Sequence, residues 1–152
     1  MTHKDKPSIT RILHSTPEFK PSEVTVAEEV IDSYLRDSFG SGYHIFVAEV
    51  NSTVVGYICY GPTPMTEGTW DIYWEAVTPE RQRLGIGTAL MKFAEKEIVK
   101  GKGRLAIIET SSTLAYEKTR HFHLSHGYEI VASIPDFYAP GDDKLILQKR
   151  LR

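Results

Sequence analysis

Apolar positions along the chain follow two different spacings, and the switches between them outline the elements. Over residues 21–35, Val24, Val26, Ala27, Val30, Ile31, Tyr34 and Leu35 recur mostly at three- and four-residue steps, which predicts a helix with Pro21 in its first turn. Residues 89–100 continue from Ile86 and place Ile86, Ala89, Leu90, Phe93, Ala94 and Ile98 on one helical face. Gly101 and Gly103 follow, where a helix end favours a residue without a Cβ. Residues 114–126 predict another helix, capped by Ser111, Ser112 and Thr113 and stopped by Gly127.

Shorter β-branched and aromatic runs predict strands at residues 8–13, 44–50, 54–60, 70–77, 104–110, 128–133 and 144–149. Asn51, Ser52 and Thr53 supply a hairpin turn between the second and third of these. Residues 1–7 read as a loose polar lead, and residues 134–143 as a loop. The 104–110 run has few polar positions, as expected of a strand covered on both faces and reached by a helical crossover. The resulting order is strand, helix, a three-strand meander, helix, strand, helix and two strands. It predicts one domain over residues 1–152 of α/β (α+β) type, with helices on the faces of a mixed sheet.

Composition narrows the function. With 152 residues, 41% hydrophobic and 25% charged, the chain is an ordinary water-soluble domain with enough length for a core. A net charge of −2 gives no basic field for nucleic acid or a membrane surface. No apolar run approaches the roughly 20 residues that cross a bilayer. The single cysteine, Cys59, allows no internal disulfide and lies in an apolar strand, where it reads as a small core residue. A cytoplasmic location is the default expectation.

The most informative stretch is residues 70–100. A strand is broken by Thr78-Pro79-Glu80, followed by Arg81-Gln82-Arg83-Leu84-Gly85-Ile86-Gly87-Thr88 and then the helix. The first amides of a helix lack partners, and its dipole places about half a positive charge there. Glycines let such amides approach and converge on a ligand, and Arg81 and Arg83 add charge, so the guest is a phosphate or diphosphate. The turn lacks both the Gly-Lys-Ser/Thr ending of a P-loop and the third glycine of a dinucleotide fingerprint. Gln82-Arg83-Leu84-Gly85-Ile86-Gly87, after Ala76-Val77-Thr78-Pro79-Glu80, resembles the diphosphate loop of the GNAT N-acetyltransferase superfamily. The resemblance covers about residues 43–149.

That resemblance implies a sheet whose strands at 70–77 and 104–110 splay apart, with acetyl-coenzyme A (acetyl-CoA) as co-substrate and no metal. Gln82, Arg83, Leu84, Gly85, Ile86, Gly87 and Thr88 would hold the diphosphate, and backbone groups of Ala76, Val77 and Thr78 the pantetheine arm. The reaction would be direct acetyl transfer to a primary amine, such as that of an amino acid or polyamine. Alternatives are a non-catalytic acyl-CoA sensor and an enzyme acting on a protein N-terminus or lysine. Many members dimerise, which leaves a homodimer open.

Strand alternation puts Asp71, Tyr73 and Glu75 on one face and Ile72, Trp74 and Ala76 on the other. Asp71 or Glu109 would accept the proton of the amine. The chain departs from the family at the proton donor: where the family carries a tyrosine, this sequence has His123, with Phe122, Gly127 and Tyr128 matching around it. His123 as the acid, a thiolate leaving unaided or with help from Tyr116, and loss of transfer altogether are the three resulting readings. His121, His123 and His126 cluster nearby, but His121 and His123 point apart on a helix and no cysteine completes a metal set.

Overall fold

Residues 8–13 form part of a helix, not the strand their apolar content suggests. In the computed structural model, which describes residues 1–152, α1 is Lys6–Ser15 and α2 is Pro21–Arg36. Ile9, Ile12 and Leu13 stand at three- and four-residue spacing and all three are buried. Pro7 lies in the first turn, where its missing N–H has no intrahelical partner to lose. The residues ahead of α1 are held by contacts. The Met1 ammonium donates to the Ile45 carbonyl at 3.3 Å, and the Thr2 amide to Asp5 Oδ2 at 2.7 Å.

The remaining elements are β1 (His44–Val50), β2 (Thr53–Pro62), β3 (Thr69–Val77), α3 (Ile86–Lys100), β4 (Leu105–Ser111), α4 (Glu117–Ser125), β5 (Glu129–Ala139) and β6 (Asp142–Arg150). They build one six-stranded sheet in the order β1-β2-β3-β4-β6-β5, antiparallel except for β3 beside β4. The expected meander is β1-β2-β3. Its first hairpin turns at Asn51 and Ser52, both at positive φ (50° and 62°), as a two-residue turn with the twist of the sheet requires. No helix is long and apolar enough to cross a membrane.

Residues 134–143, expected as a loop, belong to the β5–β6 hairpin. Pro135 is tolerated because β5 is the sheet edge, where one side of the strand has no ladder to break. Asp136 at φ 53° and a break in register between Ile134 and Ala139 absorb the irregularity.

Two apolar clusters sandwich the sheet. On one face α1 and α2 bury Ile9, Leu13, Ala27 and Ile31 against Ile45, Tyr57, Cys59 and Ala76. On the other, Leu90, Met91, Ala94 and Ile98 of α3 meet Ile58, Tyr60, Ile72, Ala106, Ile108 and Leu147, with Phe122 of α4 packed against them. Met91 takes the buried place expected of Phe93, which is part exposed and packs on Phe46 at 4.7 Å between ring centroids.

Two irregularities in β3 shape the site. Cys59 pairs with Trp74 but Tyr60 with Ile72, so Tyr73 is an extra residue, a β-bulge. The bulge resets the alternation. Trp70, Ile72 and Val77 pack on the α3 face and Trp74 and Ala76 on the α1/α2 face. Glu75, opposite Ile58, therefore shares the α3 face with Ile72, and Asp71, opposite Gly61, turns to the other. The expected grouping of Asp71 with Glu75 is thus overturned. Second, β3 pairs with β4 only over Thr69, Trp70 and Asp71 against Leu105, Ala106 and Ile107. From Ile72 and Ile108 onward the two strands part, as the resemblance implied.

Candidate active site

The loop after β3 presents unbonded amides. No backbone hydrogen bond is donated by the amides from Arg83 to Thr88; the first that finds an acceptor is Ala89, which bonds the Gly85 carbonyl at 3.0 Å. Arg83 (φ 62°) and Gly85 (φ 82°) adopt left-handed conformations, which turn successive N–H groups toward one side. Gly87 meets a different demand. A Cβ there would stand 3.1 Å from Glu75 Oε1 and 3.3 Å from Phe122 Cζ. Gln82 Nε2 ties the loop to the strand by donating to the Val77 carbonyl at 3.3 Å. The Thr78 amide is bonded to the Val55 carbonyl at 2.8 Å, so Thr78 and, two residues back, Ala76 turn their backbone groups to β2, and Val77 and Glu75 present theirs to the open edge.

This loop forms one end of a cleft of about 1410 Å³ that follows the gap between β3 and β4. Gln82, Arg83, Gly85, Gly87 and Thr88 line it, as do Asp71, Glu109, Tyr116 and His123; Leu84 and Ile86 of the predicted loop do not. Charge is unevenly placed. Arg81 and Arg83 stand at the loop end, while Glu18, Glu23, Glu109 and Asp142 crowd the far end near α2.

The predicted site residues have separate surroundings. Asp71 accepts a hydrogen bond from Thr63 Oγ1 at 2.5 Å. Glu109 is ion-paired with Lys144 at 2.7 Å. Tyr116 donates its hydroxyl to Glu23 Oε1 at 2.9 Å, and burial together with that carboxylate holds its phenol well above the usual range. Glu23 also caps α2, accepting from the Lys20 amide at 2.7 Å. At the far end Asp142 is buried, accepts from Ser111 Oγ at 2.5 Å and faces Lys20 at 3.8 Å.

His123 is only 5% exposed, between the rings of Phe122 (5.3 Å) and Tyr128 (5.9 Å). Burial, with a smaller contribution from His126, lowers its pKa to about 4, so the ring is neutral at pH 7. Its Nδ1 is buried without a partner, and so is Thr110 Oγ1. Both residues line the cleft. His126 has a fixed role. Its Nδ1 lies 2.7 Å from the Phe122 carbonyl, which can only accept, so Nδ1 carries the proton. Nε2 then accepts from Thr88 Oγ1 at 3.0 Å and ties α4 to the first turn of α3.

Glu75 and Thr110 lay outside the residues assigned from sequence. Burial pushes the Glu75 carboxyl up to about 8. A carboxylate in mid-strand beside Ala76 was the available signal, but the bulge that aims it could not be read.

The comparisons with known proteins agree with this geometry. The family described as "Acetyltransferase (GNAT) domain" matches residues 41–130. An uncharacterized N-acetyltransferase from Methanocaldococcus jannaschii is 33% identical over 108 residues, which span 69% of this chain and 65% of that protein. A GNAT-family acetyltransferase structure from Desulfovibrio desulfuricans superposes with a TM-score of 0.93 at 39% identity, over 99% of this chain and 94% of that one. An aminoglycoside 6′-N-acetyltransferase complexed with coenzyme A shares the fold, with a TM-score of 0.78 at 20% identity over 99% and 93% of the two chains. By its matched domain, its split sheet and its unbonded loop amides, the chain belongs to the GNAT acetyltransferase family.

Proposed function

We propose that the protein moves an acetyl group from acetyl-CoA to the primary amine of a small cationic metabolite, by direct attack and without an acylated enzyme. The observation that carries this reading is the run of unbonded amides from Arg83 to Thr88 at the mouth of the strand gap. Those amides, with Arg81 and Arg83, suit the diphosphate of coenzyme A. The open edges of β3 and β4 suit an extended pantetheine arm, which pairs as an added strand would.

A ligand held at the loop and threaded along the gap brings its thioester to the middle of the cleft, within reach of an amine entering from the far end. At that end Glu109 and Asp142 are paired with Lys144 and Lys20, and Glu18 and Glu23 leave a negative charge that favours a positively charged acceptor. Asp71 lies on the α1/α2 face and lines the cleft, which supports a role in taking the amine's proton. Holding both reactants in one cleft supplies proximity. Cys59 is no nucleophile in this scheme: it is 1% exposed in the α1/α2 core, and burial raises its thiol to about 12.

The test has two arms. Calorimetry with coenzyme A should give binding that Arg83→Ala weakens. Thiol release from acetyl-CoA, followed with polyamines, amino acids and an N-terminal peptide, should be fastest with a polyamine or another cationic small amine. Binding without turnover on any amine would favour the sensor reading. Fastest turnover on the peptide would move the acceptor to protein N-termini.

A further inference from the structure

We propose that Glu75 is the proton donor to the departing coenzyme A thiolate, the role left open where His123 stands in place of a tyrosine. The inference rests on the acetyl-transfer reading above and deepens it.

The bulge at Tyr73 divides the carboxylates of β3 between the two sides of the gap. Asp71 faces α1 and α2, where the amine enters. Glu75 faces α3 and α4, beside the loop amides that hold the coenzyme, with Oε1 against Gly87. On that face the cleft is also lined by two residues with buried, unpartnered polar atoms, Thr110 Oγ1 and His123 Nδ1. Regular alternation from Ala106 and Ile108 carries Thr110 to the same side. Buried polar groups are normally satisfied, so unpartnered atoms lining an open cleft point to a group that arrives with the ligand.

The other candidates are less suited. A neutral imidazole N–H is a far weaker acid than a thiol, and burial keeps His123 neutral. The Tyr116 hydroxyl is given to Glu23, and Glu109 is paired with Lys144. Glu75, by contrast, holds its proton at neutral pH, and its pKa of about 8 nearly matches the roughly 8.5 of a thiol. The titratable groups on that face are Tyr128, with Glu95 and Lys149 behind it, His123 and His126 of α4, and Arg81 and Arg83 of the loop. A bound diphosphate adds negative charge nearby and holds the Glu75 proton more firmly.

The transfer then balances. The amine lone pair forms the C–N bond, the C–S bond breaks with its electron pair going to sulfur, and the Glu75 O–H proton moves to that sulfur. The surplus ammonium proton goes to Asp71, and solvent in the open cleft later reprotonates Glu75 and deprotonates Asp71.

Carbon-13 NMR of the free protein should show the Glu75 carboxyl titrating near the pKa of about 8. Kinetics with trifluoroethylamine, an amine that stays unprotonated above neutrality, remove acceptor titration from the profile. Over roughly pH 6 to 10, wild-type kcat should fall as pH rises through the Glu75 titration. Glu75→Gln should lower kcat by about 100-fold or more and erase that limb, with the KM for acetyl-CoA and the Kd for coenzyme A changed less than about three-fold. His123→Phe should keep the limb.

A Glu75 carboxyl titrating in the usual carboxylate range overturns the proposal. So does a Glu75→Gln enzyme with kcat within about three-fold of wild type, or a wild-type rate that climbs through the titration, as for a base. An active wild type with any of these results leaves the transferase reading standing. A wild type that releases no thiol with any amine refutes that reading and the proposal with it.

Discussion

The left-handed turn at Gly85 gives the sharpest test of the loop. Gly85 has φ 82°, and a Cβ built there meets nothing within 4 Å. Gly85→Ala therefore introduces conformational strain and no clash, of roughly 1–2 kcal/mol if the turn is kept. The amides on both sides are unbonded, so little in the free fold compels the turn. The free loop of the variant can relax, and the strain then appears when a ligand draws the amides together again. Most of it should be read as weaker binding, roughly 5–30-fold in the Kd for coenzyme A. The remainder should be read as lost stability, at about 2–4 °C in Tm per kcal/mol for a domain of this size.

Calorimetry and a thermal melt on the same preparation measure both parts. Gly42→Ala is the control: its φ is 74°, its Cβ also meets nothing, and it lies outside the cleft. It should lower Tm without touching binding. The reasoning fails if Gly85→Ala moves neither Kd nor Tm, or if Gly42→Ala weakens coenzyme A as much.

Two further outcomes concern stability. His123 has a folded pKa of about 4 against an ordinary 6.5, so between those values the unfolded chain binds more protons and folding stability must fall as pH falls. The full effect is about 3 kcal/mol, and urea unfolding from pH 6.5 to 4 should show a shallower loss in His123→Phe than in wild type. Gly103→Ala would place a Cβ 2.2 Å from Ile98 Cγ2 and 2.8 Å from the Ile98 carbonyl, against a fully buried side chain. It should destabilise by about 1–3 kcal/mol in urea unfolding, whereas Gly101→Ala, whose closest contact is 3.2 Å to the Trp70 ring, should stay within about 1 kcal/mol.

The local code of the chain determined its own elements wherever one period ran uninterrupted. The helix of residues 86–100 and the strands of the meander follow from side-chain spacing alone. The unbonded amides of residues 83–88 followed from the glycine-punctuated helix start, because a helix start exposes amides whatever packs around it. Residues 8–13 read as a strand because three apolar residues in six, partly alternating with polar ones, fit strand and helix alike; burial of Ile9, Ile12 and Leu13 on one face decides for the helix. Residues 134–143 were misread because Pro135 and Gly141 usually break strands, and only the place of β5 at the sheet edge makes the proline harmless.

What tertiary structure alone decided is the allocation of chemistry to sides. Nothing in the residues around Tyr73 announces a bulge, since the extra residue is defined by the register of β2 against β3. That one-residue slip sends Asp71 and Glu75 to opposite faces. The neutral state of His123 likewise depends on its burial, which is a property of the packed molecule and not of its local sequence.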